Sequence, residues 1–217
     1  MKQPSSTPLD IVVARYAEEV GWIGNLDAVR PRVWLYNKGG ESPQRPSLPL
    51  PNFGREAHTY LYHIVNHWDD LADRTVYWEG RPHDHAETFV DDVLMYAINP
   101  AAEPFRWFGQ NLADGVRLVQ DDLNGHPHDT LPIGEYAKDF GVHLEGQYVR
   151  FSPGACFAVS RGLIRSMPRS FYASLLDDME KRPGRRQPWI LERLWGYIFN
   201  TKTLDSTSRR VNIASDK

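Results

Sequence analysis

The sequence predicts an α/β domain with a largely parallel sheet. Short runs rich in β-branched residues, such as Asp10-Ile11-Val12-Val13-Ala14-Arg15-Tyr16, alternate with longer segments whose apolar residues recur at helical spacing. Strands and helices alternating at this spacing favour parallel pairing. The 217 residues, 41% hydrophobic and 24% charged, suit one folded domain at roughly 150 residues per domain. Residues 1–9 form a loose lead-in, 10–200 a single α/β domain, and 201–217 a polar tail.

Asp10 to Tyr16 reads as a buried strand. Glu18 to Ile23 suits one or two helical turns. Val33-Trp34-Leu35-Tyr36 is a second strand, closed by the turn signal Asn37-Lys38-Gly39-Gly40. Glu41 to Pro51 is proline-rich and reads as a loop. Arg55 to Trp68 is the strongest helix, with Ala57, Leu61, Ile64, Val65 and Trp68 on one face and Asn52 as its cap. Thr75-Val76-Tyr77-Trp78 is a third strand, and Glu87 to Ile98 a second helix. Residues 99–146, punctuated by Gly109, Gly115, Gly125 and Pro127, read as an irregular insertion. Tyr148 to Phe151, the turn Ser152-Pro153-Gly154, and Ala155 to Val159 read as strand, turn and strand, running into a helix at Arg161. Ser170 to Met179 and Ile190 to Phe199 are the last helices, joined by the basic loop Lys181 to Arg186.

Composition narrows the classes further. There is no internal repeat, and the apolar runs are too short to span a bilayer. The polar first ten residues lack the apolar core of a secretory signal. The single cysteine, Cys156, rules out an internal disulfide framework and suggests a reducing compartment, so the cytoplasm is expected. The net charge of −3 hides an asymmetry. Residues 1–160 carry 13 Lys/Arg against 22 Asp/Glu, whereas residues 161–217 carry 12 against 6. A basic end on an acidic body suits a polyanion at one face and a cationic substrate at another, or a merely solvated surface.

Ligands of parallel α/β sheets bind at the carboxyl ends of strands, where Arg15-Tyr16, Asn37-Lys38 and Glu79 to His85 all fall. Glu79-Gly80-Arg81-Pro82-His83-Asp84-His85 offers two imidazoles and two carboxylates, for proton transfer, metal binding, or a self-satisfied polar loop. His63 and His67, four residues apart, give half of a zinc site or a polar helix face. Arg55 and Glu56 open a helix, where an anion or ester carbonyl is stabilised or a cap is made. Ser152 and Cys156 are possible acyl acceptors, although a lone cysteine is usually a small buried hydrophobe. Glu192-Arg193-Leu194-Trp195 supplies a base, a counter-charge, or an intrahelical ion pair. Gly-x-Ser-x-Gly, Walker and Gly-x-Gly-x-x-Gly motifs are absent, which disfavours the corresponding hydrolase, NTPase and dinucleotide classes.

Taken in order, Ala14-Arg15-Tyr16, Tyr36-Asn37-Lys38-Gly39, Asn52-Phe53-Gly54-Arg55-Glu56-Ala57-His58-Thr59-Tyr60-Leu61-Tyr62-His63, Trp78 to His85, Phe151 to Ser160 and Glu192 to Gly196 resemble a family best known from fungi. It was long catalogued as a domain of unknown function, and its characterised members are arginine-containing cyclodipeptide synthases. The resemblance covers about residues 10–200. It implies an enzyme that takes arginine from arginyl-tRNA and a second amino acid from another aminoacyl-tRNA, and closes them into a diketopiperazine. The aminoacyl esters are already activated, so no ATP, cofactor or metal is implied, and neither DNA nor a membrane is a partner.

A weaker resemblance concerns the fold: a single Rossmann-like sheet flanked by helices, similar to GT-A glycosyltransferases of the nucleotide-sugar type. That alternative departs from its pattern here, because His83-Asp84-His85 stands where Asp-x-Asp is usual. A binding protein that kept the fold and lost the chemistry is the non-enzyme alternative. Under the tRNA reading, Glu56, Glu79, His83, His85 and Glu192 are the candidate catalytic groups. Arg15, Asn37, Lys38, Arg55, Tyr60, Asp84, Ser152 and Trp195 are candidate substrate contacts. Arg161, Arg165, Arg169, Lys181, Arg182, Arg185 and Arg186 are candidate contacts to tRNA phosphates.

Overall fold

The computed structural model describes residues 8–41, 43–99, 101–109, 113–117, 131–142, 144, 148–182 and 186–199. The tail at 201–217, Arg185, and most of residues 118–147 lie outside the described residues. The strands are β1 (Leu9–Arg15), β2 (Arg32–Asn37), β3 (Leu48–Pro49), β4 (Arg74–Glu79), β5 (Phe105–Trp107), β6 (Ala113–Arg117), β7 (Tyr148–Phe151) and β8 (Phe157–Ser160). The helices are α1 (Arg55–Asn66), α2 (Phe89–Ile98), α3 (Ile133–Asp139), α4 (Arg161–Ile164), α5 (Arg169–Lys181) and α6 (Gln187–Phe199).

Six strands form one sheet in the order β3-β2-β1-β4-β8-β5, and β6 pairs with β7 in a separate ribbon. The pairs β3–β2, β2–β1 and β1–β4 are parallel, while β8 runs antiparallel to both of its neighbours. The result is a mostly parallel, Rossmann-like sheet with helices on both faces. All of β1 is buried, as a central strand covered on both faces must be. Its side chains alternate. Val12 and Ala14 join the core under α1, α3, α5 and α6, whereas Leu9, Ile11 and Val13 join the opposite core with Ile23, Leu26, Phe89 and Val93. Ile11, Val12 and Val13 are fully buried, each worth roughly 1.5–3 kcal/mol relative to exposure.

The local differences from the sequence reading have physical reasons. The turns expected at Glu18 to Ile23 form later, as a 3-10 helix at Gly21–Val29. The loop at 41–51 contributes β3, and a proline is tolerated there because the strand lies at the sheet edge. Asn52 does not cap α1. Gly54 occupies that position in the left-handed region, without a side-chain cap bond, and the helix ends at Asn66, before a short 3-10 turn at Trp68–Asp70. The region expected to be irregular, 99–146, contains β5, β6 and α3. The two segments flanking Ser152-Pro153-Gly154 enter different sheets, β7 the ribbon and β8 the main sheet.

Candidate functional site

The parallel strands end together. Ala14 lies opposite both Tyr36 and Glu79, so Arg15, Asn37-Lys38 and the loop after Glu79 share one edge. Helix α1 runs the opposite way and starts there. Buried Lys38 donates from Nζ to the carbonyl of Phe53 at 2.6 Å and to that of Arg55. Helix α6 also begins at this edge, because Glu192 Oε1 accepts from the backbone N–H of Gly154 at 2.7 Å. Gly154 in turn supports His85, and a Cβ on it would collide with the imidazole. His85 Nε2 lies 3.3 Å from Glu79 Oε1. Four candidates from distant parts of the chain, Glu56, Glu79, His85 and Glu192, therefore converge.

Their electrostatics are unusual for carboxylates. Burial raises Glu56 to about 7, and Glu192 adds to that, while Arg55 and Lys38 oppose it. Burial raises Glu79 to about 8, with Glu56, Asp84 and Glu192 adding and Arg55 opposing. Like charges crowded in a shielded site hold their protons. Burial lowers Lys38 to about 8, although Glu56 pulls it the other way. Arg55 borders the cluster, 3.4 Å from Glu56, with its guanidinium 5.5 Å from the centre of the Trp189 ring. The Tyr60 hydroxyl is fully buried, with no hydrogen-bond partner among the described residues. It feels Cys156, Glu56 and Glu79, and burial above all keeps it protonated. Arg55 at φ 47° and Ala155 at φ 51° hold left-handed backbone directly before Glu56 and Cys156. Such strain in non-glycine residues gathers at functional sites.

The remaining candidates take other places. Arg15 is buried and donates to Asn37 Oδ1 at 2.7 Å and to the carbonyls of Glu18 and Glu41 at 2.9 and 3.0 Å. Asn37 donates to the carbonyls of Gly39 and Glu41. These two residues tie down the loop after β2. His83 is exposed, 3.3 Å from the Glu87 carbonyl, and Asp84 pairs with Arg81 at 3.6 Å. Ser152 is buried against Gly109 and donates to the Pro153 carbonyl. Cys156 is fully buried, and burial with Glu79 and Glu56 raises its thiol well above the ordinary range. A thiol held protonated is a poor nucleophile. Trp195 is core, stacked on Phe199 at 5.6 Å and 6.1 Å from Tyr60.

His63, buried, and His67, half-buried just past the end of α1, belong to an aromatic cluster instead of a solvated helix face. His63 Nδ1 lies 3.0 Å from the Tyr36 hydroxyl, and His67 lies 4.0 Å from Trp34. Among the described residues, no three His, Cys, Asp or Glu side chains are arranged so that they could hold a metal ion.

Among the described residues, the basic candidates do not form one patch. Arg161 pairs with Asp73 at 2.7 Å, Arg165 donates to the Trp68 carbonyl, and Arg169 donates to the Val65 carbonyl. All three sit at the edge where the parallel strands begin. Helix α5 runs antiparallel to α1, so its far end returns to the carboxylate edge, with Glu180 3.5 Å from His58. Lys181 and Arg182 lie there, paired with Asp177 at 2.9 Å and with Asp178 respectively. Arg169 and Lys181 stand at opposite ends of α5, about 18 Å apart at 1.5 Å per residue.

Sequence reasoning missed the parts played by Gly154 and Trp189, whereas the Glu192–Arg193 ion pair is among its readings and forms. The Pro153-Gly154 turn was legible, but its long-range partner was not. Arg193 donates to Glu192 Oε2 at 2.9 Å and lies over Phe151 at 4.5 Å. None of the described helices is long and apolar enough to cross a membrane. No curated protein and no solved structure matches the chain. Over residues 11–101, from β1 through α2, the chain is similar to a family described as a protein of unknown function (DUF3431), a stretch that includes Glu56, Glu79 and His85 but not Glu192.

Proposed function

We propose that the chain is an aminoacyl-tRNA-dependent cyclodipeptide synthase that joins arginine, delivered on its tRNA, to a second tRNA-borne amino acid. The observation that carries this reading is the buried Glu56–Glu79 pair, raised to about 7 and about 8. An α-ammonium group titrates ordinarily near 7.7–8.0. A carboxyl poised in that range can take the ammonium proton at neutral pH and return it.

Glu79 is the base in this reading. The freed amine of one aminoacyl ester attacks the carbonyl carbon of the other. A C–N bond forms, the C–O bond to the first tRNA breaks, and that tRNA's hydroxyl takes up a proton. The dipeptidyl amine then attacks its own ester in the same way, closing the ring and releasing the second tRNA. Lys38 and Arg55, at the opening of α1, favour negative charge on the carbonyl oxygen. The acidic neighbourhood suits the arginyl guanidinium, whose planar fork pairs with carboxylates. Lys181, Arg182 and Arg186 are the phosphate contacts on the site's own edge.

The test is mass spectrometry of the purified protein with total tRNA, synthetases, ATP, all amino acids and isotopically labelled arginine. The reading requires a labelled cyclic dipeptide that disappears after RNase treatment. Absence of that product with active synthetases would overturn it, and turnover of a nucleotide sugar with manganese would assign the site to sugar transfer.

A further inference from the structure

The site holds a second piece of machinery. The Glu79 side chain is 20% exposed, while that of its neighbour His85 is 37% exposed. One end of the imidazole thus touches the carboxyl and another part of it meets water. The ring is seated on Gly154, where no Cβ fits and where φ is +81°. That backbone geometry is fixed from two sides. Glu192 accepts from the Gly154 N–H, and the Cys156 thiol donates to the Gly154 carbonyl at 3.2 Å. Glu192 is itself held by Arg193 through its other oxygen. The Tyr60 hydroxyl, without a hydrogen-bond partner among the described residues, is buried beside the same cluster.

We propose that Glu79 and His85 share a proton as a pair, giving the half-buried carboxyl an exchange route to solvent, and that Glu192 is a positioning residue that sets this pair through Gly154. The proposal rests on the carboxylate cluster being the reaction centre. It assigns Glu192 an anchoring role and leaves the acid–base work to Glu79. Glu79 is faced by Glu56, Arg55 and Tyr60 from α1, by Asp84 and His85 from its own loop, by Glu192 from α6 and by Cys156 beside β8. Of these, His85 lies 3.3 Å from Glu79 and also meets water.

The experiment uses the full chain with glutamate labelled at the side-chain carboxyl carbon. The Glu79 resonance is assigned by its loss in Glu79→Gln and followed through a pH titration. His85→Phe keeps a ring on Gly154 but removes both nitrogens. The proposal requires the Glu79 midpoint to move upward by at least about half a unit in that variant, a threefold change in proton affinity. Imidazole added to His85→Ala should bring the midpoint back, which a purely structural ring would not allow. Glu192→Ala should abolish the nuclear Overhauser contact between the His85 ring and the Gly154 α-protons, and Glu192→Gln, which keeps the acceptor oxygen, should retain it. An unmoved Glu79 midpoint in His85→Phe would overturn the pair, and an intact contact in Glu192→Ala would overturn the positioning role. Neither readout involves dipeptide formation, so failure of the proposed reaction remains separately visible.

Discussion

Glu56 and Glu79 are the residues whose surroundings most depart from ordinary. A buried carboxyl with a raised pKa makes the folded state hold a proton that the unfolded chain releases near 4.5. Between that value and 7–8 the native state binds more protons, so stability declines as pH rises through this window and levels off above it. Glu56→Gln should therefore flatten the decline and stabilise the protein at pH 8–9 by on the order of 2 kcal/mol. Urea denaturation at several pH values checks this, and an unchanged pH slope would contradict it. His58 acts on the acid side. Its ring is buried against Phe53, and burial lowers it to about 4. Stability is thus present above 6.5 and lost as pH falls toward 4, a loss that His58→Phe should suppress in the same titration. The candidate types at this site were legible in the sequence, since Glu56, Glu79, His85 and Glu192 stand out by charge and motif. Their convergence was not, because the Gly154–Glu192 bond spans 38 residues, a separation no local pattern encodes.

Among the elements, β1 and α1 were the most legible, since alternation and helical spacing follow directly from burial on two faces or one. The direction of β8 was not, because a period of two is the same for parallel and antiparallel strands. The short strands β3 and β5 escaped notice for a related reason, because two or three residues carry no periodicity. The opening of α1 shows what local signals leave out. Gly54 takes φ +66°, and a Cβ there would crowd His58 and the Met179 sulfur of α5. Gly54→Ala should destabilise the protein by roughly 1–3 kcal/mol through strain and displaced packing. It should also misplace Glu56, two residues on. A midpoint within experimental error of wild type in denaturant would show that the α1–α5 junction tolerates the methyl group.

For the whole molecule, the charge asymmetry visible in composition resolves, among the described residues, into two basic groups at opposite edges of the sheet. Only one shares an edge with the carboxylates, so the proposed tRNA contact depends on Lys181 and Arg186, and Arg165 and Arg169 lie away from it. Lys181→Gln with Arg186→Gln should weaken tRNA binding and make its salt dependence shallower, by about 0.9 in log–log slope for each phosphate the variant no longer neutralises. Arg165→Gln with Arg169→Gln should leave both quantities unchanged. Filter binding across a range of salt concentrations distinguishes the two outcomes, and equal effects would mean that tRNA spans the full height of the sheet.

The central claim is that Glu79 moves the proton that frees the attacking amine. Its most direct test is the rate of cyclic dipeptide formation from purified aminoacyl-tRNAs, measured against pH for wild type and Glu79→Gln. A wild-type rate that climbs with pH and levels off above about 8, with the variant at least about 100-fold slower, is the predicted result. A Glu79→Gln protein that forms the dipeptide at the wild-type rate with the same pH profile would contradict the account.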